Sequence, residues 1–170
     1  LDISSELIEE NLTTLAFAGE IELDSLDGVP VVYQHFFYQA EQSVTYHIKR
    51  IMNGYMPSLA ADPDNLINAA EADERIQLSG DQRKAIRAAL TNKITIITGG
   101  PGTGKTTIIN LIVKIFKLMG ISVALAAPTG RAAKRITETS GVEAMTIHRL
   151  LEYVYSEDEN EMEFGRNAEN

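Results

Sequence analysis

Gly99, Gly104, Lys105 and Thr106 stand at the spacing G-x-x-x-x-G-K-[ST], the Walker A pattern. Such a loop folds its backbone N–H groups inward, and its glycines allow the turn and the close approach of polyphosphate oxygens. Gly99, Gly100, Pro101, Gly102, Thr103 and Gly104 would form the cage, with Thr107 opening the next helix beside them. Lys105 would place a point charge on the β/γ-phosphates, and the Thr106 hydroxyl would ligate Mg²⁺. The positive end of that helix adds to the attraction. These residue types at this spacing predict a nucleoside triphosphate site.

Two further groups flank the loop. Upstream, Gln82 opens a helix after Leu78-Ser79-Gly80-Asp81. Its amide offers one donor and one acceptor, which suits the N6/N7 edge of adenine, although a glutamine in a first helical turn is equally at home in water. Downstream, an apolar strand ends in Pro128-Thr129-Gly130-Arg131-Ala132-Ala133-Lys134-Arg135. Ligands of open α/β sheets gather at strand carboxyl ends. Thr129 and the Gly130 N–H suit a phosphodiester oxygen there, and Arg131, Lys134 and Arg135 would supply further phosphate contacts. An ordinary capped helix with a solvated basic face fits the same residues. His148, among apolar residues 145–151, reads as a buried or capping histidine when taken by itself.

The elements that must position these groups follow from periodicity. Residues 5–18 have helical apolar spacing, capped by Ser4 or Ser5 and ended by Gly19. Residues 21–23 and 29–33 read as a hairpin around Asp27-Gly28, and residues 36–52 return to a helix. Residues 1–55 are thus expected to be a small acidic α+β module, winged-helix-like in order. Residues 56–75, with Pro57 and Pro63, read as a connector carrying a helical stretch at 64–72. Residues 76–155 read as α/β: a helix to Leu90, a buried parallel strand at 94–98, a helix at 106–119 with Ile108, Ile109, Ile112, Ile115 and Phe116 inward, and a second strand at 123–127. Residues 156–170 read as an acidic mobile tail.

Charge follows the same divisions. The net charge of −9 hides a basic segment at 76–150, with 11 Lys+Arg against 3 Asp+Glu, lying between two acidic ones. The phosphate loop is inside the basic segment, as expected of a polyanion-binding region, while the acidic module is expected to contact protein. No cysteine is present, which excludes disulfides and thiolate metal sites and suits a reducing cytoplasm. No apolar run reaches membrane-spanning length.

Taken in order, Leu-Ser-x-Asp-Gln, Gly-Gly-Pro-Gly-Thr-Gly-Lys-Thr-Thr, Ala-Pro-Thr-Gly-Arg-Ala-Ala-Lys-Arg and Thr-Ile-His-Arg-Leu-Leu resemble the RecD-like superfamily 1B DNA helicases, relatives of the exodeoxyribonuclease V α subunit. The resemblance covers about residues 76–153. It implies a partial RecA-like P-loop NTPase sheet, with Gln82 in the adenine-reading motif, Gly99–Thr106 in motif I and Pro128–Arg131 in the motif that touches single-stranded DNA. Thr146 and His148 would shape the DNA path. It further implies a bacterial cytoplasmic enzyme that uses ATP and Mg²⁺ to translocate 5′→3′ on single-stranded DNA and to unwind duplex.

A phosphate-loop motor also needs a metal-positioning carboxylate at the end of another apolar strand. Between Asp81 and Asp158 the sequence holds no aspartate, and Glu152 sits in a leucine-rich stretch. The chain therefore reads as the N-terminal fragment of a larger helicase, expected to have negligible ATPase activity alone. The rivals are another P-loop ATPase or kinase, and a fragment that acts through residues 1–75 as a partner-binding module of a larger repair complex.

Overall fold

The computed structural model describes residues 4–59, 61–156 and 161–166. The chain divides into two compact units, Leu1–Met56 and Pro57–Asn170.

The first unit is helix, two-stranded ribbon, helix. α1 (Ser5–Phe17) starts where Ser4 accepts the Leu7 N–H and stops before Gly19, whose φ is +72°. β1 (Ile21–Leu26) and β2 (Val29–Gln34) pair antiparallel from Ile21↔Gln34 to Leu26↔Val29. The two residues between them, Asp27 and Gly28, both have positive φ, as a tight hairpin turn with the native strand twist requires. α2 (His35–Asn53) follows directly. Two side-chain contacts tie it to the ribbon: His35 Nδ1 to Glu22 Oε1 at 2.7 Å, and the Tyr38 ring 5.5 Å from that of Tyr33. Asp24, and to a smaller extent burial, raises the Tyr38 pKa. No described residue of this unit is buried.

The second unit is α/β, but its core is helical. α3 (Pro63–Glu74) begins on Asp62, which caps Asp64, and ends in a left-handed Arg75 with the Ile76 N–H bonded back to Glu71 O. The segment expected to be a connector therefore supplies a core helix, with Ile67 and Ala70 buried. α4 (Gly80–Thr91) and α5 (Lys105–Leu118) close around it. Ile67, Ala70, Leu78, Ile86, Leu90, Ile108, Leu111 and Ile115 form one cluster. In α5 the inward stripe is turned from the expected one: Leu111 and Val113 are buried, whereas Ile109 is exposed. The face at 108, 111 and 115 is the one that α3 and α4 cover, and α3's place in the core was not foreseen.

Polar contacts clamp the same three helices. Glu71 accepts the Leu78 N–H at 2.7 Å and pairs with Arg83, which also donates to Asn68. Arg87 pairs with Asp64, and Lys114 with Asp73 and Glu74. Hydrogen bonds to Asp73 and Glu74 raise the Lys114 pKa.

The parallel sheet is small and lies one element later than expected. β3 (Leu125–Ala127) and β4 (Ala144–Thr146) pair in parallel, with α6 (Gly130–Ser140) as the crossover between them. Residues 94–98 form no ladder among the described residues. A strand apolar on both faces needs neighbours at its edges, and none of the described strands pairs with it. The run is still anchored: Ile97 packs on the core and Thr95 Oγ1 donates to Ala88 O at 3.0 Å, while Ile96 is 84% exposed. The strand expected at 123–127 is reduced to its last three residues. α7 (Ile147–Leu150) leads to β5 (Tyr153–Ser156), which pairs antiparallel with β6 (Glu161–Phe164). Part of the expected mobile tail is thus a strand; residues 157–160 and 167–170 lie outside the described residues. No described helix is long and apolar enough to cross a membrane.

Candidate nucleotide and nucleic-acid site

The phosphate loop is tied together from inside. Thr103 Oγ1 donates to Gly100 O at 2.9 Å, and Lys105 Nζ donates to the carbonyls of Gly99 (2.7 Å) and Gly100 and to Thr103 Oγ1 (3.3 Å). Gly102 and Gly104 have φ of +74° and +82°, a region open to glycine and strained for other residues. A Cβ on Gly99 would stand 2.8 Å from Thr103 Oγ1, and one on Gly104 would stand 2.5 Å from Gln82 Nε2.

α5 starts from Gly104 with no side-chain cap. Among the described residues, the N–H groups of residues 102–107 find no acceptor. An uncapped helix start preceded by a glycine turn fits a polyphosphate, whose oxygens accept from such groups. The exposed Thr106 hydroxyl in the first turn fits one ligand of a Mg²⁺ that keeps its waters and binds phosphate.

Gln82 is at the loop, through both ends of its amide. Its Oε1 accepts the Ser79 N–H at 2.9 Å while Ser79 Oγ accepts the Gln82 N–H, a capping box. Its Nε2 donates to Thr103 O at 3.2 Å. The residue therefore joins the start of α4 to the phosphate loop.

Downstream, the register Ala127↔Thr146 puts the carboxyl ends of β3 and β4 side by side. Pro128–Arg131 and Thr146–His148 leave the sheet from adjacent strands, about 4.8 Å apart. Each threonine is an N-cap: Thr129 accepts the Ala132 N–H and Thr146 the Arg149 N–H. His148, read from sequence as buried or capping, is exposed and faces the Tyr153 ring at 5.3 Å. It sits at the first exposed turn after the strand, so the apolar residues around it in sequence do not enclose it.

The basic segment separates into two groups. Arg83, Arg87 and Lys114 are paired with α3 carboxylates, and Lys84 with Asp81. Arg131, Lys134, Arg135 and Arg149 carry no ion pair among the described residues and are exposed. Arg149 was not singled out from sequence; its signal was a cation three residues past a strand end. A cavity of about 570 Å³ runs along α5 between Glu74 and Thr139 and shares only Thr107 with the candidate nucleotide residues.

Residues 82–170 match the family described as an AAA domain. The chain is similar to an ATP-dependent RecD2 DNA helicase of Deinococcus radiodurans, 41% identical over 76 residues that cover 45% of this chain and 11% of that protein. It is similar to the RecBCD enzyme subunit RecD of Mycolicibacterium smegmatis, 39% identical over 94 residues, with coverages of 42% and 17%. The RecBCD enzyme subunit RecD of Haemophilus influenzae is 31% identical over 121 residues, with coverages of 65% and 19%. The chain thus spans less than a fifth of the length of each of these relatives. With that family match spanning more than half of its residues, the chain belongs to the AAA-domain family and is RecD-like.

Proposed function

We propose that the chain is the ATP-binding part of a DNA helicase with a RecA-like motor, one that moves 5′→3′ on single-stranded DNA. The observation that carries the nucleotide half is the set of unaccepted N–H groups at 102–107 beside a lysine already gathered into the loop. Gly99–Thr107 hold the triphosphate of ATP, Lys105 neutralises its terminal phosphates, Thr106 ligates Mg²⁺ and Gln82 reads adenine. A Mg²⁺ held by Thr106 would offset phosphate charge and help to orient the terminal phosphoryl group. Pro128–Arg131, Lys134, Arg135, Thr146 and His148 contact single-stranded DNA. The DNA half and the polarity rest on the likeness to RecD-type helicases, supported by the unpaired cations of α6.

Isothermal titration of the 170-residue chain with Mg-ATP tests the nucleotide half. Binding is expected, with ATP preferred over GTP, and Lys105→Ala should weaken it at least tenfold, the loss of a charge-assisted contact of about 1.5–3 kcal/mol. Equal binding by the alanine variant would remove the loop from the site. Between Asp81 and Glu138 the sequence has no carboxylate, so the chain alone should bind without turnover. Robust DNA-stimulated hydrolysis that disappears in Lys105→Ala would overturn that last statement.

A second reading concerns the first unit. Its described residues are all at least partly exposed, among them Phe17, Phe36, Phe37 and Tyr55. Apolar residues on an acidic, winged-helix-like module support a protein contact rather than a phosphate contact.

A further inference from the structure

Three rings beyond the two strand ends form a ladder that the nucleotide site does not use. His148 lies 5.3 Å from Tyr153 at 61°, and Tyr153 lies 4.6 Å from Phe164 at 40°. Tyr153 and Phe164 are opposite partners at one end of the β5–β6 pair, so the ladder crosses from α7 to both strands. Its outer members are open: Phe164 is 48% exposed and His148 is exposed, while Tyr153 between them is half-buried.

The base of the ladder is braced by backbone. The Gly165 N–H donates to Glu152 O at 2.9 Å and the Arg166 N–H to Leu151 O at 3.1 Å. Glu152 adopts a left-handed φ of +55° to turn the chain from α7 into β5, and its carboxylate is taken by Arg166 Nε at 2.8 Å. A Cβ on Gly165 would stand 3.1 Å from Glu152 Cβ and 3.2 Å from Glu152 O, so a side chain there would press on the Glu152 turn by a few tenths of an ångström. Exposed rings braced by a left-handed Glu152 are unusual on a solvated edge. Arg166 is held by Glu152, but two other cations close by carry no ion pair among the described residues: Arg149 is next to His148, and Arg131 leaves the neighbouring strand end.

We infer that Tyr153 and Phe164, with His148, form a stacking platform for the bases of single-stranded DNA, beside the phosphate contacts at the ends of β3 and β4. The inference rests on the DNA reading above and adds to it a second kind of contact. Aromatic faces accept any base, so the platform grips without reading sequence, while the cations follow the phosphates. Phosphate contacts alone would hold any strand of equal charge. The platform makes binding depend on the presence of bases.

The test compares two labelled strands of equal phosphate number, an oligothymidylate and its abasic counterpart, by fluorescence anisotropy with the 170-residue chain. The wild type is expected to bind the thymidylate about tenfold more tightly, the effect of roughly one stacked base. Tyr153→Leu and Phe164→Leu keep apolar bulk, and circular dichroism would confirm that they retain the fold. Each should reduce that preference toward unity while leaving abasic affinity unchanged, whereas Arg131→Ala should weaken both strands alike. Because the chain has no tryptophan, tyrosine emission should also fall on binding thymidylate, and less so in Tyr153→Leu. Equal wild-type affinity for the two strands would overturn the platform and leave the DNA reading standing, as would leucine variants that keep the preference. No binding of either strand would overturn both.

Discussion

At the scale of single residues, Thr103 joins three parts of the nucleotide site. Its hydroxyl donates to Gly100 O and receives from Lys105, and its carbonyl receives from Gln82. One residue therefore links the candidate adenine reader, the loop backbone and the phosphate-binding lysine. Thr103→Val removes the hydroxyl without changing the shape much, so the loop loses a tie that pre-organises it. The expected result is Mg-ATP binding weaker by about 1 kcal/mol, roughly fivefold, restored by Thr103→Ser. Unchanged titration curves for the valine variant would show that the tie is idle. The motif spacing named this residue as one of the loop; it gave no sign of the bond to Gln82. That bond spans 21 positions in sequence and depends on how α4 and α5 pack.

At the scale of elements, α3 holds the second unit together. It supplies buried Ile67 and Ala70 and the carboxylates that bind Arg83, Arg87 and Lys114. The cap after it makes a sharp stop at a cost, since Arg75 has a left-handed φ of +53° and an exposed side chain. Glycine meets that backbone without strain, and it keeps the Ile76 N–H to Glu71 O bond. Arg75→Gly should therefore stabilise the chain by about 1 kcal/mol in urea unfolding. A lower midpoint would mean that the arginine side chain matters more than its backbone. Local rules were sufficient for most helices. Ser4, Ser79 and Thr129 cap α1, α4 and α6, and the Asp27-Gly28 hairpin closes at its turn residues. They were insufficient where an element needs partners distant in sequence. Residues 94–98 have the composition of a buried strand but form no ladder, and β4 took its pairing from β3 across α6. The inward face of α5 likewise depended on α3, which read as a helical stretch within a connector and gave no sign of a place in the core.

At the scale of the whole molecule, charge and function divide differently than the sequence averages suggest. Three of the eleven cations that made 76–150 look like a polyanion site are neutralised by α3, and four that carry no ion pair among the described residues, Arg131, Lys134, Arg135 and Arg149, lie on α6 and α7. The candidate DNA edge is thus smaller and more local than the basic segment. The first unit presents the opposite case. Its described residues include none that is buried, and Phe17 is 90% exposed on a surface rich in carboxylates. Those carboxylates keep molecules apart by mutual repulsion, which fades as pH falls toward the isoelectric point near 4.8. Turbidity at fixed concentration should rise steeply there, and Phe17→Ser with Phe36→Ser should flatten the rise. A clear solution through pH 4.8 would count against it. The exposed aromatic residues of the first unit then have a colloidal consequence: dispersion is expected to rest on charge, and acid to turn the molecule self-adhesive.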